Sequence, residues 1–447
     1  MRRTTRIFCA SSLRGAATLA AALDAGLFTP TNRRLLLVAN SAVNPETTPA
    51  VDTMPGFSRI GERFDEVLSW NETIAPFHPG GWSPRADDVP LWERYVRRLW
   101  GLADDEVRLV VESVQANPSL ALCQLFTGAP VDVYADGLMS YGPTPDKVPP
   151  LVGTRIDRLL YPDLVPGLVP LLLTEYGVPP QPVPAEAVAK ILGELAEDDG
   201  ESPSPAGEQP ALLFGQCLSA LDVLTAAEET ELHVSMVRGA AELGHRYVVF
   251  KPHPAAPALR SPALEEEASR LGVRLTVLDP AVPDETAVQR LRPALAVGCV
   301  STGLLTAASL YRVPAARAGT GTVLARLDPY ENELRVPLTV VDALLPDVGD
   351  RSAVAGPGFP SEERVAELGA LLQAVAFAMR PRVLASLRAA AEEYLAHRLD
   401  AHSWRYFKRR RLTALGLPGG VPARLAFLPR NAVVRRVARR AQALARR

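Results

Sequence analysis

Short, uniformly apolar runs recur along the first half of the chain and alternate with stretches of helical periodicity. The runs cover residues 6–10, 34–40, 107–113 and 131–134, and an Ala/Leu-rich helical stretch covers residues 14–27. Because polar residues do not alternate within them, these runs predict parallel strands that are covered on both faces. We therefore expect residues 1–195 to form a doubly wound α/β domain.

The same pattern returns after an acidic segment rich in Pro, Gly and Ser, which predicts a linker at 196–209. Strands are predicted at 211–214, 247–250, 274–278 and 294–298, with helices at 226–243 and 262–271. Residues 210–350 should thus form a second doubly wound domain, followed by C-terminal helices within 351–402. Two Rossmann-like doubly wound domains that face each other across a cleft constitute the α/β architecture called GT-B.

Composition agrees with a globular protein, since 47% of the 447 residues are apolar and 22% are charged. The four cysteines are far apart and lie in or beside apolar runs, which favours a reduced, cytoplasmic protein without a protein-built metal site. A signal peptide at the N-terminus is the alternative, but Arg14 and Asp24 interrupt the apolar segment. With no apolar run of about 18 residues, we expect no membrane span.

Charge is distributed unevenly, because residues 401–447 contain 13 Lys or Arg and no Asp or Glu. Residues 1–400 then hold 35 basic and 50 acidic groups, a balance of −15. We interpret residues 403–447 as a basic amphipathic tail, in which Arg430 to Arg447 could contact an anionic membrane surface and place the protein on the inner face of the cell membrane. A solvated tail is the alternative. No aromatic platform accompanies the charge, so no nucleic-acid partner is expected.

Polar residues directly after an apolar strand are the candidates for chemistry, since ligands bind beyond the carboxyl ends of the strands in doubly wound sheets. Lys251, His253 and Pro254 follow the strand at 247–250, and ring-locked prolines on both sides fix the approach of the imidazole. A second His-Pro pair at His78 has no strand before it, so we interpret it as structural. The first group predicts a ligand site on the second domain.

Two further segments have the same position relative to a strand. Ser301 and Thr302 lie where the strand at 294–298 turns into a helix, and they could either bind phosphate or simply cap that helix. Asp136 follows the strand at 131–134 and could serve as a general base, although Asp-Gly is also an ordinary turn.

Together these segments resemble the bacterial sialyltransferases, in particular the family that includes the capsular polysialyltransferases. That family has an acidic-acidic-Gly motif in its first domain, a His-Pro motif in its second and a Ser-Ser or Ser-Thr pair downstream; the similarity runs from Ile7 to about residue 320. The resemblance implies a GT-B glycosyltransferase that moves sialic acid from CMP-sialic acid to a hydroxyl of a glycan or glycolipid. It implies no cofactor and no metal, because CMP presents a single phosphate.

The resemblance also implies a role for each matching residue. Asp136 would be the general base, and His253 would bind and protonate the departing phosphate. The other implied donor contacts are Ser301 and Thr302 at the phosphate, Lys251 and Glu285 near the cytosine and ribose, and Pro254 and Gln216.

One departure from the family motif leaves alternatives open, because Ala135 stands where the first acidic residue is usual. The chain could be a non-catalytic nucleotide- or glycan-binding relic of the fold. It could also be another GT-B transferase, such as a CDP-glycerol glycerophosphotransferase-like enzyme. Residues 44–100 contain four tryptophans, which could line an acceptor site but are more typical of a core.

Overall fold

A seven-stranded parallel sheet forms the first half of the protein. The computed structural model describes residues 3–135, 137–197, 209–254, 256, 262–280, 282–354 and 361–421. The strand order is β3-β2-β1-β4-β5-β6-β7, with in-register pairs such as Ile7 with Leu109 between β1 and β4. The strands are β1 Thr4–Ala10, β2 Arg33–Val38, β3 Glu66–Ser69, β4 Glu106–Val111, β5 Val131–Tyr134, β6 Ile156–Pro162 and β7 Pro180–Val183.

A five-stranded parallel sheet forms the second half, in the order β10-β9-β8-β11-β12. Both orders reverse direction once, as doubly wound Rossmann-like sheets do. The predicted α/β fold with two such domains is therefore confirmed. The strands are β8 Ala211–Phe214, β9 Tyr247–Lys251, β10 Arg274–Val277, β11 Leu295–Gly298 and β12 Ala315–Arg317.

Helices connect the strands and cover the sheets. In the first half they are α1 Leu13–Asp24, α2 Phe57–Gly61, α3 Trp70–Ile74, α4 Val89–Leu99, α5 Ser119–Leu125, α6 Pro150–Gly153 and α7 Ala185–Glu197. In the second half they are α8 Ala226–Glu242, α9 Pro262–Arg270, α10 Asp284–Leu291, α11 Thr302–Ser309, α12 Thr320–Arg326, α13 Arg335–Leu344, α14 Arg351–Val354, α15 Glu362–Met379, α16 Arg388–His397 and α17 Arg409–Leu415. Within the described residues, none of the helices is both long and apolar enough to cross a bilayer.

Apolar packing on both faces of the first sheet explains its continuous hydrophobic strands. On one face, Ile7 and Cys9 of β1 pack in a core that includes three buried tryptophans. On the other, Phe8 and Ala10 pack against α1 and α7. The tryptophans are Trp70, Trp82 and Trp100, and they belong to the core rather than to an open surface.

The second core contains residues from both halves of the chain. Leu138 and Tyr141 follow β5, and Leu164 and Val165 follow β6, yet all four are buried in the cluster built around the second sheet and its helices. Helix α7 also contacts α10 of the second half. The two sheets are thus joined by a continuous apolar interface rather than by the linker alone.

The C-terminal helices complete this second core. The C-terminal helices expected within 351–402 include α15, and a 3₁₀ turn at Ala385–Leu387 that is followed by α16. Residues 403–421 of the predicted tail are described, and Tyr406 and Leu412 among them are buried. The Tyr406 hydroxyl donates to buried Asp342 at 2.7 Å, which ties this segment to α13. Arg430 to Arg447 lie outside the described residues.

Candidate active site

Each sheet changes direction at one point, and polar groups follow the strands there. In the first sheet this point lies between β1 and β4, where Ser11 donates a hydrogen bond of 2.5 Å to the Glu112 carboxylate. In the second it lies between β8 and β11, which lead to Gln216 and to the N-terminus of α11. Such switch points are where doubly wound sheets bind ligands.

Lys251 ends strand β9 and is fully buried in the second half. Its ammonium group donates to the backbone oxygens of Pro252 at 2.6 Å and Pro280 at 3.1 Å, and lies 3.7 Å from a carboxylate oxygen of Asp284. Burial lowers the pKa of Lys251, while the charge of Asp284 opposes that effect. The lysine therefore fixes the loop that carries His253 and contributes a positive charge beside it.

Asp284, which the sequence reasoning missed, joins Lys251 to the helix start at Ser301. The Ser301 hydroxyl donates to its other carboxylate oxygen at 3.3 Å. This approach requires glycine at position 303, because a Cβ there would lie 2.5 Å from the Asp284 side chain. The sequence did show an acidic residue at the start of a helix, directly before Glu285. The direction in which the Asp284 side chain points depends on tertiary packing, which the sequence does not show.

His253 and Pro254 lie on the exposed side of the same loop. Partial burial lowers the pKa of His253, and the negative charge of Asp284 opposes that shift. The imidazole is consequently more neutral near pH 7 than an ordinary histidine, and a bound phosphate would shift it toward the charged form.

Ser301 and Thr302 begin helix α11 and connect the two halves of the protein. The Ser301 hydroxyl accepts a hydrogen bond from the Leu304 N–H at 3.3 Å, so it caps the helix as expected. The Thr302 hydroxyl accepts from the Leu138 N–H, also at 3.3 Å. Since Leu138 follows β5 of the first sheet, the helix N-terminus lies directly against the loop that contains Gly137.

Asp136 itself lies outside the described residues, but both of its neighbours are described. Ala135 is buried, and Gly137 is so close to Thr302 that a Cβ at position 137 would lie 2.6 Å from the Thr302 hydroxyl oxygen. The structure therefore brings Gly137 and Leu138 into contact with Thr302, although 164 positions separate Leu138 from Thr302.

Gln216 is buried and internally hydrogen-bonded. Its amide nitrogen donates to the oxygens of Phe214 and Gly215 at 3.1 Å, and its backbone N–H donates to a ring nitrogen of His233 at 2.9 Å. These bonds shape the loop after β8. Its role as a donor contact stays a prediction.

Glu285 is also buried, and its carboxylate pairs with Arg14 of α1 across the two halves. Arg14 contacts Thr306 of α11 as well. The described contacts of Glu285 thus involve the interface between the halves rather than the Lys251–Ser301 cluster. The predicted donor role of Glu285 stays a prediction.

A cavity of about 250 Å³ lies beside the loop after β5, where Ala135 and Gly137 line it. Glu112, Ser113 and Gln115 line it from the switch point of the first sheet, and Glu333 lines it from the second half. In the described part of the chain, no group of three or more His, Cys, Asp or Glu side chains is arranged to hold a metal ion.

Two doubly wound sheets that meet where the loop after β5 contacts the start of α11, with Lys251, Asp284 and Ser301 on one side and a cavity on the other, define a protein of the GT-B class. The family model described as alpha-2,8-polysialyltransferase (POLYST) matches residues 6–320. The chain belongs to this family, as the sequence motifs predicted, and is a glycosyltransferase of the sialyltransferase type.

Solved structures with a similar fold are distant in sequence. The GT-B domain of a sialyltransferase from Photobacterium damselae is 13% identical, with a TM-score of 0.36 over 76% of this chain and 96% of that one. A Listeria monocytogenes protein assigned as a UDP-N-acetylglucosamine 2-epimerase is 12% identical, with a TM-score of 0.43 over 85% and 98%. Phytolacca americana UGT2 is 12% identical, with a TM-score of 0.38 over 86% and 98%. No curated protein matches the sequence.

Proposed function

We propose that the protein transfers sialic acid from CMP-sialic acid to a glycan hydroxyl. The observation that carries this proposal is the hydrogen bond between the Leu138 N–H and the Thr302 hydroxyl. It joins the loop that contains the proposed base to the helix start that would hold the donor phosphate. A transferase needs both groups at the same reacting carbon.

On the donor side, the phosphate of CMP would bind at the N-terminus of α11, where backbone N–H groups and the helix dipole favour an anion. His253 would donate a hydrogen bond to that phosphate and become more strongly protonated as negative charge develops. Lys251 would act through its charge and by fixing the loop, because its ammonium group is already bonded to two backbone oxygens.

On the acceptor side, Asp136 would take the proton from the attacking hydroxyl. The hydroxyl oxygen forms a bond to the anomeric carbon of the sialic acid while the bond from that carbon to the CMP phosphate oxygen breaks. CMP leaves with the electron pair, and the proton remains on the carboxyl group of Asp136. Since none of these steps needs a divalent ion, the rate should be unchanged by EDTA.

Nucleotide binding tests this proposal directly. We expect CMP to raise the melting temperature and UDP not to, and we expect the CMP shift to disappear in His253→Ala. His78→Ala is the matched control, since His78 belongs to the other His-Pro pair and its ring nitrogen bonds to the Ala42 oxygen. A response to UDP alone, or none to any nucleotide, contradicts the proposal. Labelled CMP-sialic acid and CDP-glycerol then distinguish the two donors.

Membrane association through Arg430 to Arg447 is a separate part of the proposal, supported by the basic composition of that segment. Co-sedimentation with vesicles that contain anionic lipid should require residues 422–447. Equal binding to neutral vesicles would contradict an electrostatic contact.

A further inference from the structure

Helix α4 exposes apolar side chains at regular intervals. Leu91, Tyr95 and Leu99 are 66%, 48% and 52% exposed, and a spacing of four residues places them on one face of the helix. The inward side of the helix carries Val96, which is fully buried, and the half-buried Trp92, which packs against the core of the first sheet. The apolar stripe formed by Leu91, Tyr95 and Leu99 is therefore left on the surface, where such a patch marks a contact with another molecule.

Aromatic packing holds this stripe in place. The Tyr95 ring lies 5.6 Å from the Trp92 ring, measured between centroids, and Trp92 lies 4.8 Å from buried Trp82. Trp82 in turn stacks against Phe77 at 6.4 Å, and Phe77 is 51% exposed. The row of rings thus has an exposed ring at each end and a middle anchored in the core. Exposed aromatic rings on a rigid base are typical of surfaces that contact a partner or the interface of a bilayer.

The exposed charges of α4 are all positive. Its exposed residues are Pro90, Leu91, Arg94, Tyr95, Arg98 and Leu99. Arg94 and Arg98 lie four residues apart and form a second stripe beside the apolar one. Glu93 lies on the flank and is only partly exposed, where its carboxylate pairs with Arg97 at 2.9 Å. Arginines beside leucine and tyrosine are complementary to a surface that is anionic outside and apolar inside.

A groove of about 650 Å³ lies on the arginine side of α4. Arg94, Arg97 and Arg98 line it together with Glu93 and Asp104. Because Glu93 is paired with Arg97, two arginines and one carboxylate set the remaining charge of the groove, which is positive. A lipid phosphate would find arginine donors here while its acyl chains lie toward the apolar stripe.

We propose that α4 contacts an anionic membrane, with the apolar stripe in the headgroup layer and with Arg94 and Arg98 on lipid phosphates. This contact goes beyond the proposed reaction and does not depend on it. It belongs to the first half of the protein, whereas the tail at Arg430 to Arg447 follows the second half. One weak membrane signal gives only reversible binding, and stable association takes two. The helix and the tail would therefore both be needed for full binding.

Partitioning of the full chain onto vesicles of phosphatidylcholine and phosphatidylglycerol tests this proposal. Arg94→Gln combined with Arg98→Gln should weaken the partition coefficient by about 25-fold, since each arginine near an anionic lipid surface contributes a factor of about five. Leu91→Gln combined with Leu99→Gln should weaken it by at least about tenfold, because apolar contact with the lipid is lost. The matched control combines Arg382→Gln with Leu221→Gln, two exposed residues of the second half, and should bind like wild type.

Quenching by phosphatidylglycerol with brominated chains detects the contact itself. In Leu99→Trp the fraction of tryptophan fluorescence that is quenched should exceed that of wild type, whereas in Leu221→Trp it should not. Unchanged partitioning of both α4 double variants, or equal quenching at the two positions, would overturn the proposal. So would a wild-type dimer that the α4 variants dissociate without any change in vesicle binding, because the stripe would then bind a second copy of the chain.

The two membrane proposals are distinguishable. If removal of residues 422–447 leaves binding unchanged while the α4 variants weaken it, the tail proposal fails and the α4 proposal stands. The reverse result sinks the α4 proposal alone, and a wild type that does not bind anionic vesicles sinks both. Melting temperatures identify any variant that fails to fold, and the quenching measurement in Leu99→Trp then decides.

Discussion

At the scale of single residues, His233 shows how one imidazole shapes the loop beside the proposed donor site. Its Nε2 accepts a hydrogen bond of 2.9 Å from the Gln216 N–H, and its ring packs edge-on against Phe250. The bond requires the neutral ring with its proton on Nδ1. Burial lowers the pKa of His233 below its ordinary value of 6.5, which favours that form, while the charge of Glu229 opposes the shift.

The sign of the pH dependence follows from linkage. Because the folded pKa of His233 is lower than the unfolded one, its stabilising contribution is present above pH 6.5 and is lost as the pH falls through the folded pKa. When the pH is lowered from 7.5 to 5.0, the free energy of unfolding of wild type should fall by about 1 kcal/mol more than that of His233→Gln. This difference is roughly what one hydrogen bond contributes to stability. Urea unfolding at the two pH values measures this. Exposed His397→Gln is the control, and equal losses in wild type and His233→Gln would contradict the prediction.

The positions of Lys251, His253, Ser301 and Thr302 could be predicted from the sequence, because they lie at or shortly after the ends of strands β9 and β11, and strand ends are visible as the ends of apolar runs. Their roles in binding and catalysis stay predictions. Asp284 was missed because a loop separates it from β10, so its contacts with Lys251 and Ser301 depend on how α10 packs. The ion pair between Glu285 and Arg14 could not be predicted for the same reason, because the two residues meet only when the two halves of the protein pack together.

At the scale of secondary structure elements, helices α1 and α10 are joined by the Arg14–Glu285 ion pair. Ser12 caps α1 and accepts a hydrogen bond from the Gly15 N–H, which places Arg14 in the first turn. Glu285 also lies in the first turn of its helix and is almost fully buried. The pair therefore joins the starts of two helices that belong to different sheets.

Removing one member of this pair should be costly. Arg14→Ala leaves the Glu285 carboxylate buried without its partner, and we expect a loss of about 3 kcal/mol in unfolding free energy. Adding Glu285→Gln to that variant should recover part of the loss, because the buried charge is then gone. Exposed Arg98→Ala on α4 should cost much less. Chemical denaturation of wild type, Arg14→Ala, Glu285→Gln and the double variant gives the coupling energy, and additive effects would show that the two side chains do not interact.

The accuracy of the predicted elements depended on burial. Strands β1, β2, β4, β5, β8, β9 and β11 form apolar runs because helices or neighbouring strands cover them, and all were predicted within a few residues. The edge strands β3, β7 and β12 were missed. Strands β3 and β7 are four residues long and only partly buried, β7 contains two prolines, and β12 has only three residues. The partly exposed edge strand β10 is the exception, because it was predicted at 274–278. Strand β6 was missed because it carries Asp157 and Arg158 near its start. The pattern of apolar and polar residues along a strand shows how deeply the strand is buried, but it does not show which strand lies beside it.

At the scale of the whole molecule, the contact between Gly137 and Thr302 sets how closely the two halves approach at the proposed active site. Gly137 has an extended backbone with φ near −160°, which any residue adopts, so glycine is needed here only for space. The Thr302 hydroxyl occupies the volume that a Cβ would take. No sequence pattern could show this, because the two positions meet only in the folded protein.

Gly137→Ala should therefore push the halves apart locally. If the proposed function holds, we expect the transfer rate to fall by about tenfold to 100-fold, as displacements near 1 Å do in active sites, together with a lower melting temperature. Thr302→Ala in the same protein should restore the melting temperature, because the next atom would then be the Cβ at 3.5 Å. Gly128→Ala is the control, since its Cβ would meet nothing within 4 Å. A Gly137→Ala protein with unchanged stability and rate would contradict this account.

Leu138, Tyr141, Leu164 and Val165 belong to the first half of the sequence but are buried in the second core. A fragment that begins after the linker would lack six interior side chains of this core, because Leu168 and Leu171 also belong to it, and would expose apolar surface in their place. A second half taken from another protein and joined at 196–209 would need a surface already shaped for these residues. The two halves of this chain therefore complete each other's interior.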